Sequence, residues 1–128
     1  MKILLDTNAF LWAVSNDPQL SARARTLIDD HETTMFFSVA GIWEIVIKTQ
    51  IGRLKFPKPV VDYVIRKMVE HSVKALPIDL KHMGRLEMLP PYHRDPFDRV
   101  MLAQCLEEDL AILSSDKLLK RYPVRLIW

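Results

Sequence analysis

Apolar residues along the chain alternate between short continuous runs and helical spacing. Lys2 to Leu5 is an apolar-rich run ending at Asp6, after which Thr7 or Asn8 can cap a helix carrying Phe10, Leu11, Trp12 and Val14. Asp17-Pro18 breaks that helix, and Ser21 can start another in which Leu20, Ala24, Leu27 and Ile28 repeat at helical spacing. Met35 to Phe37 reads as a short strand, and Ser38 as the cap of a helix running through Ile51 and stopping at Gly52. The glycine and prolines of GRLKFPKP mark a loop. Beyond it, Val60, Val61, Val64, Ile65, Met68 and Val69 predict one apolar helix face. Val73 to Ile78 is a strand whose Pro77 weakens its end or places it at a sheet edge. A helix from about Asp79 to Met88 precedes the Leu89-Pro90-Pro91 break, and HRDPFDR opens the next one. Leu110 to Leu113 is a strand ending in Ser114-Ser115-Asp116, followed by a short helix and a last strand near Arg125 to Ile127.

About five short strands thus alternate with helices, which argues for an α/β fold: a parallel sheet covered on both faces, joined by right-handed crossovers. With 128 residues the chain is sized for one domain, residues 1–128, without internal repeats or low-complexity segments. Hydrophobic residues at 49% and charged residues at 27% exclude the disordered and fibrous classes. The single cysteine, Cys105, leaves no intramolecular disulfide and no clustered thiolate site for zinc. No apolar run approaches the about 18 residues needed to span a bilayer, and MKILL reaches Asp6 before a signal-peptide core could form. A cytoplasmic protein is expected. A net charge of +2 permits an anionic polymer partner without requiring one. The basic groups Lys48, Arg53, Lys55, Lys58 and Lys117, Lys120, Arg121, Arg125 are read as solvated faces and helix ends.

Candidate chemistry lies in the acids. Asp95-Pro96-Phe97-Asp98 has a complete structural explanation as a helix start: aspartate at the cap, proline at the first helical position, acid complementing the helix dipole. Asp98, however, shares a face with Met101, Leu102 and Cys105, whereas the polar stripe runs through Gln104, Glu107 and Glu108. An acid aimed along an apolar face needs a partner, because burying an unpaired carboxylate is costly. Glu44 lies inside the apolar SVAGIWEIVI, where a helical pair with Lys48 and a functional role are both open. Asp6 and Asp116 follow strands, at the carboxyl ends where open parallel sheets bind ligands, although capping a turn or helix is also common work for aspartate. Should these four of the 16 acids converge, their repulsion calls for a cation, and carboxylates without cysteine suit Mg²⁺ or Mn²⁺. His31, His71, His82 and His93 have no metal-binding spacing and are read as surface or capping residues. Trp12, Trp43, Trp128 and Phe36-Phe37 are candidates for core or for partner contacts.

LLDTNAFLW, SVAGIWEI, HRDPFDRVMLAQ and SSDKLLKRYPV stand here in the order seen in PIN-domain ribonucleases, and essentially the whole chain resembles the VapC toxins of bacterial toxin-antitoxin pairs. LLDTN alone is weak; HRDPFDR in register with the other three is specific. The resemblance implies a single PIN domain, an α/β/α sandwich with strand order 3-2-1-4-5, in which the first and fourth strands lie side by side. It maps the family's acidic quartet, catalytic and metal-binding, onto Asp6, Glu44, Asp98 and Asp116, with Thr7 or Asn8 near the attacking water. Asp95 is extra to that quartet, a helix cap able to support its neighbours. None of the four acids is missing. Similar proteins cleave RNA with Mg²⁺ or Mn²⁺, form homodimers and are silenced by a cognate antitoxin.

A metal-dependent endoribonuclease is therefore the leading expectation. The alternative is a non-catalytic RNA- or partner-binding module whose acidic cleft receives basic side chains. A haloacid-dehalogenase-like phosphatase would want a second aspartate where Asn8 stands, and a phosphoacceptor receiver domain would want an acidic pair near Asp6.

Overall fold

In the computed structural model, which describes residues 1–128, the chain begins with β1 (Lys2–Leu5), α1 (Thr7–Val14) and α2 (Ala22–Asp29). Then come β2 (Thr34–Ser38), α3 (Val39–Gln50), α4 (Val60–Glu70), β3 (Val73–Leu76) and α5 (Leu80–Glu87). The chain ends with α6 (Pro96–Glu108), β4 (Ala111–Leu113), a 3₁₀ turn (Lys117–Arg121) and β5 (Leu126–Ile127). All strand pairs are parallel, in the order β3-β2-β1-β4-β5. The expected strand order is the observed one. Pro77 falls just beyond β3, which is an edge strand, as its missing amide donor demands.

Alternation within the strands divides the core into two layers. Ile3, Leu5, Met35, Phe37, Leu113 and Ile127 point to one face, where residues from α1, α2, α3 and α4 cover them. Leu4 and Ile112 point to the other, against Met101, Leu102 and Cys105 of α6. Central strands are buried on both faces, so β1 and β4 carry near-continuous apolar runs. Phe37, fully buried, stacks on Phe10 with ring centroids 4.1 Å apart. Trp12 and Trp128 pack together, while Trp43 is 57% exposed and meets Phe97 edge-on.

Several expectations are corrected. The cap of α1 is Asp6, whose side chain accepts from the Ala9 amide, and not Thr7 or Asn8. The apolar face of α4 is only partly core: Val64 and Met68 are buried, but Val61, Ile65 and Val69 face solvent. Gln104 is no part of a polar stripe; it is fully buried, its amide donating to the Pro77 carbonyl at 3.1 Å. No helix is long and apolar enough to cross a membrane.

Candidate functional site

Register places the acids. Leu5 pairs with Leu113 of β4 and with Phe37 of β2, so the chain leaves all three strands at one sheet edge. Asp6 follows β1 directly, its amide bonded to the Leu113 carbonyl at 3.1 Å. Asp116 follows β4 after two serines; its amide donates to the Ser114 hydroxyl at 3.0 Å, which aims the turn back over the edge. Glu44 arrives from α3, which starts at the end of β2, where the Ser38 side chain accepts from the Ala40 amide. Asp98 comes from the first turn of α6, held by Asp95, whose Oδ1 accepts from the amides of Phe97 and Asp98. The result is a cavity of about 140 Å³ lined by Asp6, Thr7, Asn8, Glu44, Lys48, Asp95, Asp98, Ser115 and Asp116, without a hydrophobic residue. The four acids of the expected quartet, and the three residues expected around them, all line it. Larger concavities, of about 590 and 740 Å³, lie elsewhere and lack this acid lining.

The charges in the cavity oppose one another. Burial pushes the Asp6 carboxyl up to about 6; the Ser114 hydroxyl and the Ala9 amide oppose that rise, while Glu44 and Asp116 add to it. Burial likewise pushes Asp98 up to about 7, helped by Asp95, Asp6 and Glu44 and countered by His93. Glu44, only 6% exposed, has both oxygens engaged: Thr7 Oγ1 donates to Oε1 at 2.6 Å, and Lys48 Nζ pairs with Oε2 at 2.6 Å. The helical pair with Lys48 therefore forms, and Glu44 also lines the cavity. Lys48, expected on a solvated face, is instead a cation of the site.

His93, expected as a surface or capping residue, does accept from the amide of the cap residue Asp95, and it also stands among the acids. Its Nε2 lies 2.8 Å from Asp116 Oδ2 and 3.1 Å from Asp98 Oδ2. Its Nδ1 accepts from the Asp95 amide at 3.1 Å, so the ring's proton sits on Nε2 and is donated to Asp116, with the Asp98 carboxylate beside it. The signal was its place in HRDPFDR, two residues before the helix cap. His82 is also buried, with the same arrangement: Nδ1 accepts from the Asp79 amide and Nε2 faces Glu108, a staple between α5 and α6.

Ligand atoms of His93, Asp98 and Asp116 lie within 4.8 Å of one another, but an Nε2 that carries the proton has no lone pair for a metal. The available donors are carboxylate oxygens, a set suited to hard divalent ions. Facing carboxylates whose proton affinities are raised by burial and mutual repulsion fit such an ion, because a double positive charge relieves both strains.

The chain matches the family profile of the PIN domain over residues 3–124. It is 32% identical over 69 residues to Ribonuclease VapC16 of Mycobacterium tuberculosis, a stretch covering 51% of this chain and 49% of that protein. The chain thus spans about half the length of that curated relative. Among solved structures, VapBC2 from Rickettsia felis, bound to a DNA fragment from their promoter, superposes with a TM-score of 0.74 at 14% identity, covering 99% of this chain and 98% of that one. A toxin-antitoxin complex from Klebsiella pneumoniae gives a TM-score of 0.66 at 15% identity, covering 98% and 96%. At such identity these two likenesses speak for the fold.

Proposed function

The chain belongs to the PIN-domain family, and from that premise we propose that it is a Mg²⁺- or Mn²⁺-dependent endoribonuclease, the toxin of a toxin-antitoxin pair, with residues 1–128 acting as a single domain. One observation carries the chemistry: Asp6, Glu44, Asp98 and Asp116, from four separate parts of the chain, line one small cavity with no apolar wall. Asp6 and Asp98 are the main metal ligands, with Glu44 and Asp116 completing the set. When bound, the divalent ion supplies positive charge for phosphate oxygens and acidifies a water for attack on the RNA phosphodiester.

The chain's own residues do the positioning. Thr7 and Lys48 fix the Glu44 carboxylate and offset its charge. The Ala9 amide holds one oxygen of Asp6, so that side chain enters the cavity in a set orientation. Asp95 fixes where α6 begins and therefore where Asp98 points. Asn8, exposed at the cavity wall, lies where a side-chain amide can hold a water. The toxin-antitoxin complex named above supports an antitoxin partner and Ribonuclease VapC16 an RNA substrate; a homodimer in a cytoplasmic setting completes the proposal.

Asp6→Asn tests this. Size and capping are kept, so the fold should persist while Mg²⁺-dependent cleavage of RNA falls at least a hundredfold. Full activity of the variant, or of the parent in EDTA, would sink the assignment. A second reading has its own support: the cleft already receives one basic side chain, Lys48, as a non-catalytic module would receive a partner's. That reading requires RNA or partner binding in EDTA and no turnover with Mn²⁺.

A further inference from the structure

The segment between α5 and α6 contains Pro90 and Pro91 and no regular structure, yet its last part brings His93 against Asp98 and Asp116, two acids of the cavity. Two side chains hold it there. Arg99, from the start of α6, donates to the carbonyls of Pro90 at 3.0 Å, Leu89 at 3.3 Å and His93 at 3.5 Å. Tyr122, 3% exposed, donates its hydroxyl proton to the Pro90 carbonyl at 2.8 Å and accepts from the His93 amide at 2.8 Å. The His93 backbone is thus gripped at both its N–H and its carbonyl. The ring is gripped a third time through Nδ1 by the Asp95 amide. These contacts leave one free ring atom, Nε2–H, bonded to Asp116 Oδ2 and 3.1 Å from Asp98 Oδ2.

We infer that His93 is a positioning residue of the acidic site: anchored by Arg99 and Tyr122, it bonds Asp116 through Nε2–H, stands 3.1 Å from Asp98, and so sets how these two carboxylates face the metal. The inference rests on the nuclease reading above and deepens it. Asp98 sits on a helix and Asp116 on a turn beyond β4, and the His93 ring, bonded to Asp116 and close to Asp98, stands between them. Asp116 Oδ1 already accepts from the Leu118 amide at 3.0 Å, so with His93 on Oδ2 both of its oxygens are oriented by the protein. Asp98 Oδ2 lies 3.1 Å from the same nitrogen. Donors of this kind, one step removed from a metal, set ligand direction, and their loss commonly costs 10- to 100-fold in affinity or activity.

The test uses the intact chain. Mn²⁺ affinity is measured by calorimetry for the parent, His93→Ala, His93→Gln and Tyr122→Phe, alongside kcat and KM for RNA cleavage and the melting temperature. His93→Ala should weaken Mn²⁺ binding at least tenfold and lower kcat with little change in KM. His93→Gln, which keeps an N–H near the position of Nε2, should restore most of the Mn²⁺ affinity. Tyr122→Phe loses two bonds to the loop but keeps its ring, and should fall between parent and His93→Ala. In the apo parent, ¹⁵N NMR should show His93 with its proton on Nε2. Parent-like Mn²⁺ affinity and kcat in His93→Ala, or a proton on Nδ1 in the parent, would overturn the inference. So would loss in His93→Ala that tracks only a lowered melting temperature and is not restored by glutamine. A failed nuclease reading looks different: the parent binds Mn²⁺, the His93 effect on binding persists, and no RNA is cut.

Discussion

Asp6 caps a helix and supplies an acid to the cavity, and the two roles have opposite electrostatic consequences. The capping bond from Ala9 favours the ionised form, but burial outweighs it and leaves the carboxyl at about 6, against 3.8 unperturbed. The folded state then binds more protons than the unfolded state between those values, so stability falls as pH rises from about 4 to 6. Asp98, raised to about 7, extends the fall to about pH 7. For Asp6 the difference corresponds to about 3 kcal/mol. In EDTA, the protein should therefore melt several degrees lower at pH 8 than at pH 5. Asp6→Asn should flatten part of that slope, as thermal unfolding across pH will show; an unchanged slope would contradict the burial of this carboxyl. The pattern at Asp6 was readable from sequence, because an aspartate directly after an apolar run falls at a strand end. The contact of His93 with the acids was missed because histidine spacing was compared only with metal motifs, and its partner Asp116 lies 23 residues away.

Elements were the most legible scale, since strand period, helix period and caps are written in neighbouring residues. Ser21, Ser38 and Asp95 cap the helices they were expected to cap. Local rules fail where packing intervenes, and Gly41 in α3 shows the competition. Alanine has the higher helix propensity by about 1 kcal/mol, so an isolated helix would gain from Gly41→Ala. Here a Cβ at position 41 would run into the ring of Phe37, which cannot yield because it is fully buried and stacked on Phe10. Overpacking costs about 1–3 kcal/mol and should win. Gly41→Ala should lower the urea midpoint without changing the m-value; a higher midpoint would show that the Phe37 ring can move aside. The same override explains Gln104 and α4, where helical phase located a face but not what covers it.

At the scale of the whole molecule, the sheet edge concentrates like charge that the fold alone does not neutralise. A divalent ion should therefore act as a stabiliser: at a hundred times its dissociation constant it adds about 2.7 kcal/mol. Melting with Mn²⁺ and with EDTA should differ more at pH 8 than at pH 5, where Asp6 and Asp98 hold protons that the ion must displace. Equal melting temperatures at pH 8 would argue that no ion binds the acids. From sequence alone came the order of strands and helices, their caps and breaks, and the positions of the acids, because each depends on residues within a turn or two. The resemblance to PIN-domain proteins supplied the strand order. Only the tertiary structure decided that Lys48 lines the cavity and His93 abuts its acids, that Gln104 is buried, and that half of the α4 stripe is not. Those outcomes depend on the register of β1 against β4 and on how α3 and α6 pack, which couple residues far apart in the chain.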